Sequence, residues 1–250
     1  MLLAELITTF PMKHLYGPVK SRRLGLSLGV SLTPYKICSF DCVYCQLGRT
    51  DSVTAEVKEY VPLGAILDEL TVWLKHNSLE AQKLNYITFS GFGEPTLHVK
   101  FGELISEIKK ITPVPVAIIT NASLCNMPTI RKALLKADLI VPSLDAATHD
   151  IFQRVDRPEA SIKLEDIIEG LVSLRKEFKG KFWLEIMLVK GINDDPAHIK
   201  KLKKIIDRIN PDKIQLNSPV RPPAEPDVFP VDRERLEEIK EILGEKCEVI

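Results

Sequence analysis

The sequence lacks a second pair of cysteines. Cys38, Cys42 and Cys45 lie within eight residues, with gaps of three and two, while Cys125 and Cys247 stand alone. A structural zinc site takes four ligands, usually as two close pairs a dozen or more residues apart, and half of that framework is missing. A disulfide framework is excluded as well. Gaps this short would close strained rings, and an odd cysteine count fits a reducing compartment.

Charge of one sign is not in excess either. The 34 basic and 34 acidic residues cancel, whereas a protein whose main business is gripping duplex nucleic acid more often carries a basic excess; a local basic patch is still allowed. No apolar run is long enough to span a bilayer. The N-terminal MLLAELITTF contains Glu5, lacks a basic start and reads as neither signal peptide nor anchor. We therefore expect a cytoplasmic protein that makes no use of a membrane. The five histidines form no spacing pattern, and no metal is assigned to them. Repeats and low-complexity tracts are absent, so 250 residues predict one domain.

What is present is alternation. Residues 1–23, with Pro11, Gly17, Pro18 and the basic run Lys20-Ser21-Arg22-Arg23, read as an N-terminal arm. Strands are expected at 24–32, 85–89, 114–120, 139–143, 182–189 and 213–216. Helices are expected at 62–76, 98–110, 129–135, 162–178, 197–209 and 233–243. The helix over 162–178 carries its apolar face on Ile167, Ile168, Leu171, Leu174 and Phe178. A core over 24–220 would be followed by a Pro-rich loop and a last helix over 221–250. Six strands separated by helices make parallel β/α units. We expect a single-domain α/β fold, an incomplete (β/α)6, TIM-like barrel, rather than an open doubly wound sheet. In either architecture, chemistry belongs at the carboxyl ends of the strands.

The polar residues fall at those ends. The three cysteines follow the first strand. Thiolates so placed converge on one soft metal centre. A cubane iron–sulfur cluster normally takes four cysteines, so three would leave one iron open to another ligand. From this loop alone, that reading stands level with zinc or accident. Gly91-Phe92-Gly93-Glu94-Pro95 follows the second strand, and its glycines let a backbone edge approach a ligand closely; the alternative is a tight βα turn. Asn121, Ser143 and Asp145, and Lys190, Gln215 and Asn217, punctuate the later strand ends.

Together these motifs resemble the radical SAM superfamily over about residues 20–220. Cys-x-x-x-Cys-x-x-Cys has an aromatic, Tyr44, before its last cysteine, and Gly91–Pro95 is similar to the superfamily's Gly-Gly-Glu-Pro element, with Phe92 as a variant or insertion. Residues 15–50 and the stretch Asn217-Ser218-Pro219-Val220-Arg221-Pro222-Pro223 look closest to uncharacterised relatives of the tRNA wyosine-base synthases. Those synthases carry further upstream cysteines, and none precedes Cys38 here.

The resemblance implies that Cys38, Cys42 and Cys45 hold a [4Fe–4S] cluster whose fourth iron is chelated by S-adenosylmethionine. The reaction implied is reductive cleavage to methionine and a 5′-deoxyadenosyl radical that abstracts a substrate hydrogen. Gly91, Phe92, Gly93 and Glu94 would form the turn meeting the methionine amino group. Tyr44 would border the adenine, Asn121 or Ser123 the ribose, and Ser143 the ribose or carboxylate. Arg154, Asp156 and Arg157 are further candidates for the S-adenosylmethionine carboxylate or ribose. An external one-electron donor of flavodoxin or ferredoxin type is implied, and a nucleotide or tRNA base is the substrate expectation. The rival class is an electron-transfer or redox-sensing protein. Lys20, Arg22 and Arg23 read as a solvated face or an anion-binding one, and Cys125 and Cys247 as small buried apolar groups.

Overall fold

The computed structural model describes residues 12–250. The apolar N-terminal decamer, and with it about half of the expected arm, lies outside the described residues.

Eight strands form one sheet in chain order. They are β1 (Leu15–Ser21), β2 (Gly25–Val30), β3 (Tyr86–Phe89), β4 (Val116–Thr120), β5 (Leu139–Pro142), β6 (Lys181–Met187), β7 (Lys213–Asn217) and β8 (Cys247–Val249). β1 pairs antiparallel with β2, and every later neighbour pair is parallel. The helices are α1 (Leu63–His76), α2 (Ser78–Ala81), α3 (Phe101–Ile111), α4 (Pro128–Leu134), α5 (His149–Val155), α6 (Leu164–Glu177), α7 (Pro196–Ile209) and α8 (Arg233–Leu243). No helix among the described residues is long and apolar enough to cross a membrane.

The six expected strands are β2 to β7. The two extra strands flank them and were hidden for different reasons. β1 lies in the stretch read as an arm, where Gly17-Pro18 breaks the alternation. The register slips between Tyr16 and Val19, a bulge that accommodates those residues at a sheet edge. β8 has three residues, too few to display a period. Among the described residues no ladder joins β1 to β8, so the barrel is incomplete and open on that flank. The gap is narrow at one point, where Arg22 Nη1 donates to the main-chain oxygen of Ile250 at 3.0 Å.

Alternation along the strands sorts residues into two layers. Leu28, Val30, Ile87, Phe89, Leu184 and Ile186 face the helices and are fully buried. They meet Ile66 and Leu70 of α1, Leu104 and Ile108 of α3, and Leu171 and Leu174 of α6 in one continuous core. Each such side chain contributes about 1.5–3 kcal/mol by leaving water. The opposite faces turn into the barrel. At its amino end, Leu24, Tyr86, Ala117, Leu139 and Val141 form a separate apolar cluster with Ile119 and Trp183. This plug closes the floor and leaves the carboxyl end open.

Candidate active site

All three clustered cysteines line one cavity of about 630 Å³ at the carboxyl ends of the strands. Their loop is held by backbone contacts to three neighbours. Cys38 bridges Val53, and Ile37 bridges Gly93. Val43 N donates to Val155 O at 2.9 Å, and Asp41 N to Asp156 O at 3.1 Å. Ion pairs add a strap. Arg157 pairs with Glu225 and, at 3.6 Å, with Asp41, while Arg49 reaches Glu225 at 2.7 Å. Arg157 is thus committed to the loop's scaffold, and Arg154 pairs with exposed Asp150 at 3.8 Å; neither lines the cavity.

The glycine turn and the cysteine loop touch at Gly93. Glu94 N donates to Ile37 O at 3.0 Å, and a Cβ on Gly93 would lie 1.7 Å from that same carbonyl oxygen. Only glycine permits the approach. Gly91 has φ +117°, which L side chains rarely adopt. Phe92 N donates to Ser31 Oγ at 3.2 Å, and its ring meets Tyr35 edge-on at 5.7 Å. Gly91, Phe92, Gly93 and Glu94 all line the cavity.

The Glu94 side chain is buried and has its own task. It accepts from Thr96 N at 3.0 Å, Thr96 Oγ1 at 2.7 Å, Thr120 Oγ1 at 2.6 Å and Asn121 N at 2.7 Å. Burial raises its pKa, and these donors oppose the shift. Four donors leave the carboxylate little capacity for a ligand; its work is to tie the glycine turn to the end of β4.

Asn121 stands against the cysteines. Its Nδ2 lies 3.7 Å from Cys38 Sγ and 2.8 Å from Ser39 Oγ, and its Oδ1 accepts from Ser123 N at 3.0 Å. Ser123 is itself buried and bonded to Ser39 at 2.7 Å. Tyr44 donates to buried Asp145, which also accepts from Met187 N at 2.8 Å. Cys42 Sγ lies 3.6 Å from Asp156 Oδ1. Burial pushes both carboxyls up, and at Asp156 the Asp145 charge adds to it. Ser143 lines the same cavity.

Of the weaker candidates, Asn217 lines the cavity and Gln215 does not. Lys190 pairs with exposed Asp232 at 2.7 Å, away from it. Cys125 and Cys247 are buried among apolar residues, as expected.

Some residues of the site were not singled out from the sequence. Tyr16 of β1 bonds Ser90, and its ring fills the space over Gly29, where a Cβ would meet ring atoms at 2.0 Å. Asn193 is fully buried. It donates to Asp145 O and Met187 O at 2.9 Å each and accepts from Val189 N at 2.7 Å, joining the ends of β5 and β6. Glu185, inside an otherwise apolar strand, is buried and pairs with Arg23. A charge in an apolar run demands a partner, and that was the available signal.

The donor set suits a soft polynuclear centre. Burial pushes the Cys38 thiol up to about 12, Glu94 adding to it, and raises Cys42 well above the usual thiol range. These sulfurs become thiolates only beside a compensating cation, which a metal centre supplies. Among the described residues no three His, Cys, Asp or Glu are gathered to hold a single metal ion. Thiolates that bind separate irons of one cluster need not meet at a point.

The site sits where the family does. The model of the Radical SAM superfamily matches residues 32–202, and the chain belongs to that superfamily of enzymes. It is 36% identical over 230 residues to a UPF0026 protein of Methanocaldococcus jannaschii, covering 92% of this chain and 71% of that one. It is also 40% identical over 237 residues to a Brachyspira hyodysenteriae protein named GTPase Obg, spanning 95% of this chain but only 34% of that protein. Among solved structures, a TYW1 with a lysine–pyruvate adduct bound shares the fold at TM-score 0.64 and 20% identity. That match covers 87% of this chain and 72% of the other.

Proposed function

We propose that Cys38, Cys42 and Cys45 hold a [4Fe–4S] cluster with one iron left for S-adenosylmethionine, and that the enzyme generates a 5′-deoxyadenosyl radical to abstract a substrate hydrogen. The observation that carries this reading is the convergence of the three cysteines and the Gly91–Gly93 edge on one cavity of about 630 Å³. That volume lies within the range of about 300–1,000 Å³ usual for small-molecule sites. A protein that only shuttled electrons would have no use for it.

When bound, the cluster supplies the electron for reductive cleavage of S-adenosylmethionine. The chain's own residues do the rest. The Gly91–Gly93 edge offers main-chain groups to the methionine amino group without a side chain in the way. Tyr44, fixed by Asp145, borders the adenine, and Ser143 faces the ribose or carboxylate. Asn121, whose Nδ2 lies 3.7 Å from Cys38 Sγ, would donate to that thiolate as well as border the ribose. The apolar floor and the surrounding loops keep water from the reactive carbon.

The electron comes from an external one-electron donor of flavodoxin or ferredoxin type, in the cytoplasm. Residues 24–220 form the catalytic core, to whose sheet β1 adds on one flank and, beyond the loop and helix that follow residue 220, β8 adds on the other. A nucleotide or tRNA base is the substrate we favour, supported by the resemblance to wyosine-base synthases and by the shared fold with TYW1.

The test is anaerobic. After reconstitution with iron and sulfide, dithionite and S-adenosylmethionine are added, and 5′-deoxyadenosine is measured by mass spectrometry. We expect product from the native chain and none from Cys42→Ala. A reducible cluster that gives no product with any donor overturns the reading.

A further inference from the structure

Midway down the barrel, between the apolar floor and the cysteines, lies a polar layer that the cofactor reading does not use. Its centre is Glu185 on β6, whose side chain is 5% exposed and pairs with Arg23. Asn217 Nδ2 donates to Glu185 Oε1 at 3.1 Å, and Asn217 Oδ1 accepts from Arg22 Nη2 at 3.2 Å. Both arginines project from the turn between β1 and β2. Ser21 Oγ fixes that turn by accepting from Arg23 N at 3.2 Å and Leu24 N at 3.3 Å. A solvated basic face has no such architecture. These side chains are ordered across the open flank of the barrel, from the first hairpin to β6 and β7.

The charge does not balance. Lys20, Arg22, Arg23 and Arg221 line the cavity against Glu94 and Glu185. Glu94 is occupied by its four donors. Glu185 answers Arg23 alone, since Arg22, Lys20 and Arg221 pair with no side-chain carboxylate among the described residues. Arg22 touches an oxygen of Asn217 and an oxygen of Ile250, and Arg221 touches Gln46. A group of cations at the rim of an open cavity, with one buried carboxylate to orient them, is arranged for an oxyanion. The guanidinium fork matches phosphate and carboxylate geometry in two parallel bonds.

We infer that the β1–β2 hairpin is the substrate reader of this enzyme: Arg22 and Lys20, with Arg23 held in place by Glu185, bind a phosphate or carboxylate group of the substrate at the open flank. Arg23 and Glu185 act as a positioning pair, and Arg22 is the primary contact. The inference rests on the proposed radical chemistry only for calling this ligand the substrate; anion binding at the hairpin stands apart from it.

The test is calorimetric. Reconstituted protein saturated with S-adenosylmethionine, so that its carboxylate already has its site, is titrated at constant ionic strength with inorganic phosphate, acetate, guanosine 5′-monophosphate and unfractionated tRNA. Arg22 is exposed, so Arg22→Gln will fold. The double variant Arg23→Gln/Glu185→Gln removes the pairing of Arg23 with buried Glu185 without leaving an unpaired charge. We expect at least one probe to bind, and Arg22→Gln to weaken it about tenfold, as for loss of one charge-assisted contact. Tighter binding of tRNA than of the monophosphate assigns the anion to a nucleic-acid backbone, and the reverse assigns it to a small molecule. Equal affinity in native and variant proteins, or no heat from any probe, overturns the inference. So does weaker binding of S-adenosylmethionine in Arg22→Gln with anion binding unchanged, because the arginine would then serve the cofactor. 5′-Deoxyadenosine formed without added substrate, followed in parallel, reports on the radical chemistry separately.

Discussion

The two ends of the barrel are built from the same strands and obey opposite rules. At the amino end, Tyr86, Ala117, Leu139 and Val141 fill the interior and none of them lines the cavity. At the carboxyl end, a few residues further along the same strands, the interior is lined by cysteines, glycines, Asn121, Ser143 and Asn217 around an open cavity. The difference shows where stability and chemistry are kept apart. The floor tolerates any apolar side chain of the right size, whereas the mouth depends on particular atoms. Substitutions at the two ends should therefore separate folding from cofactor binding.

The largest effect is expected at the mouth. Cys38→Ala removes one of three thiolates, and iron after reconstitution should fall from about four per chain to a small residue, with loss of the broad visible absorbance. Thermal stability of the metal-free protein should hardly change, because an uncharged methyl replaces a protonated thiol.

Gly93→Ala is the next probe. The added methyl collides with Ile37 O, forcing the glycine turn away from the cysteine loop. Displacements of about 1 Å at an active site cost about 10²-fold in rate, so 5′-deoxyadenosine formation should drop by that order while iron loading persists. Native activity in this variant would show that the contact is incidental.

The floor should answer in reverse. Leu139→Ala leaves a cavity in the plug and should cost about 2–5 kcal/mol in denaturant unfolding, with full iron content under native conditions. Loss of iron in this variant would show that the two ends are coupled.

The smallest effect concerns a buried histidine on α7, behind the sheet. Burial lowers the pKa of His198, and its Nε2 has no partner. Below the ordinary histidine value the unfolded chain binds a proton that the folded protein refuses. Stability is therefore complete above about pH 6.5 and declines as the pH falls through that value. His198→Leu should flatten that decline between pH 7 and 5 by about 1 kcal/mol or less.

These contrasts also explain how much was legible in advance. The strands β2 to β7 announced themselves by apolar runs ending in polar residues. The cysteine and glycine motifs announced the mouth, because close spacing and backbone approach are local properties written in consecutive residues. What escaped depends on distant partners. Nothing near Glu94 says that its carboxylate will be consumed by Thr96, Thr120 and Asn121. The pairing of Arg23 with Glu185 joins residues 162 apart in sequence, and no window of sequence contains both. β1 was missed because Gly17-Pro18 carries the signature of a turn and the bulge that absorbs it is visible only against β2.

The central claim is that the mouth holds a cluster with an iron open to S-adenosylmethionine. Electron paramagnetic resonance of the dithionite-reduced, reconstituted protein tests it without knowledge of the substrate. The account predicts a reduced [4Fe–4S] signal whose shape changes when S-adenosylmethionine is added, and no such signal in Cys38→Ala. A spectrum indifferent to S-adenosylmethionine would contradict it and leave the three cysteines as an electron relay.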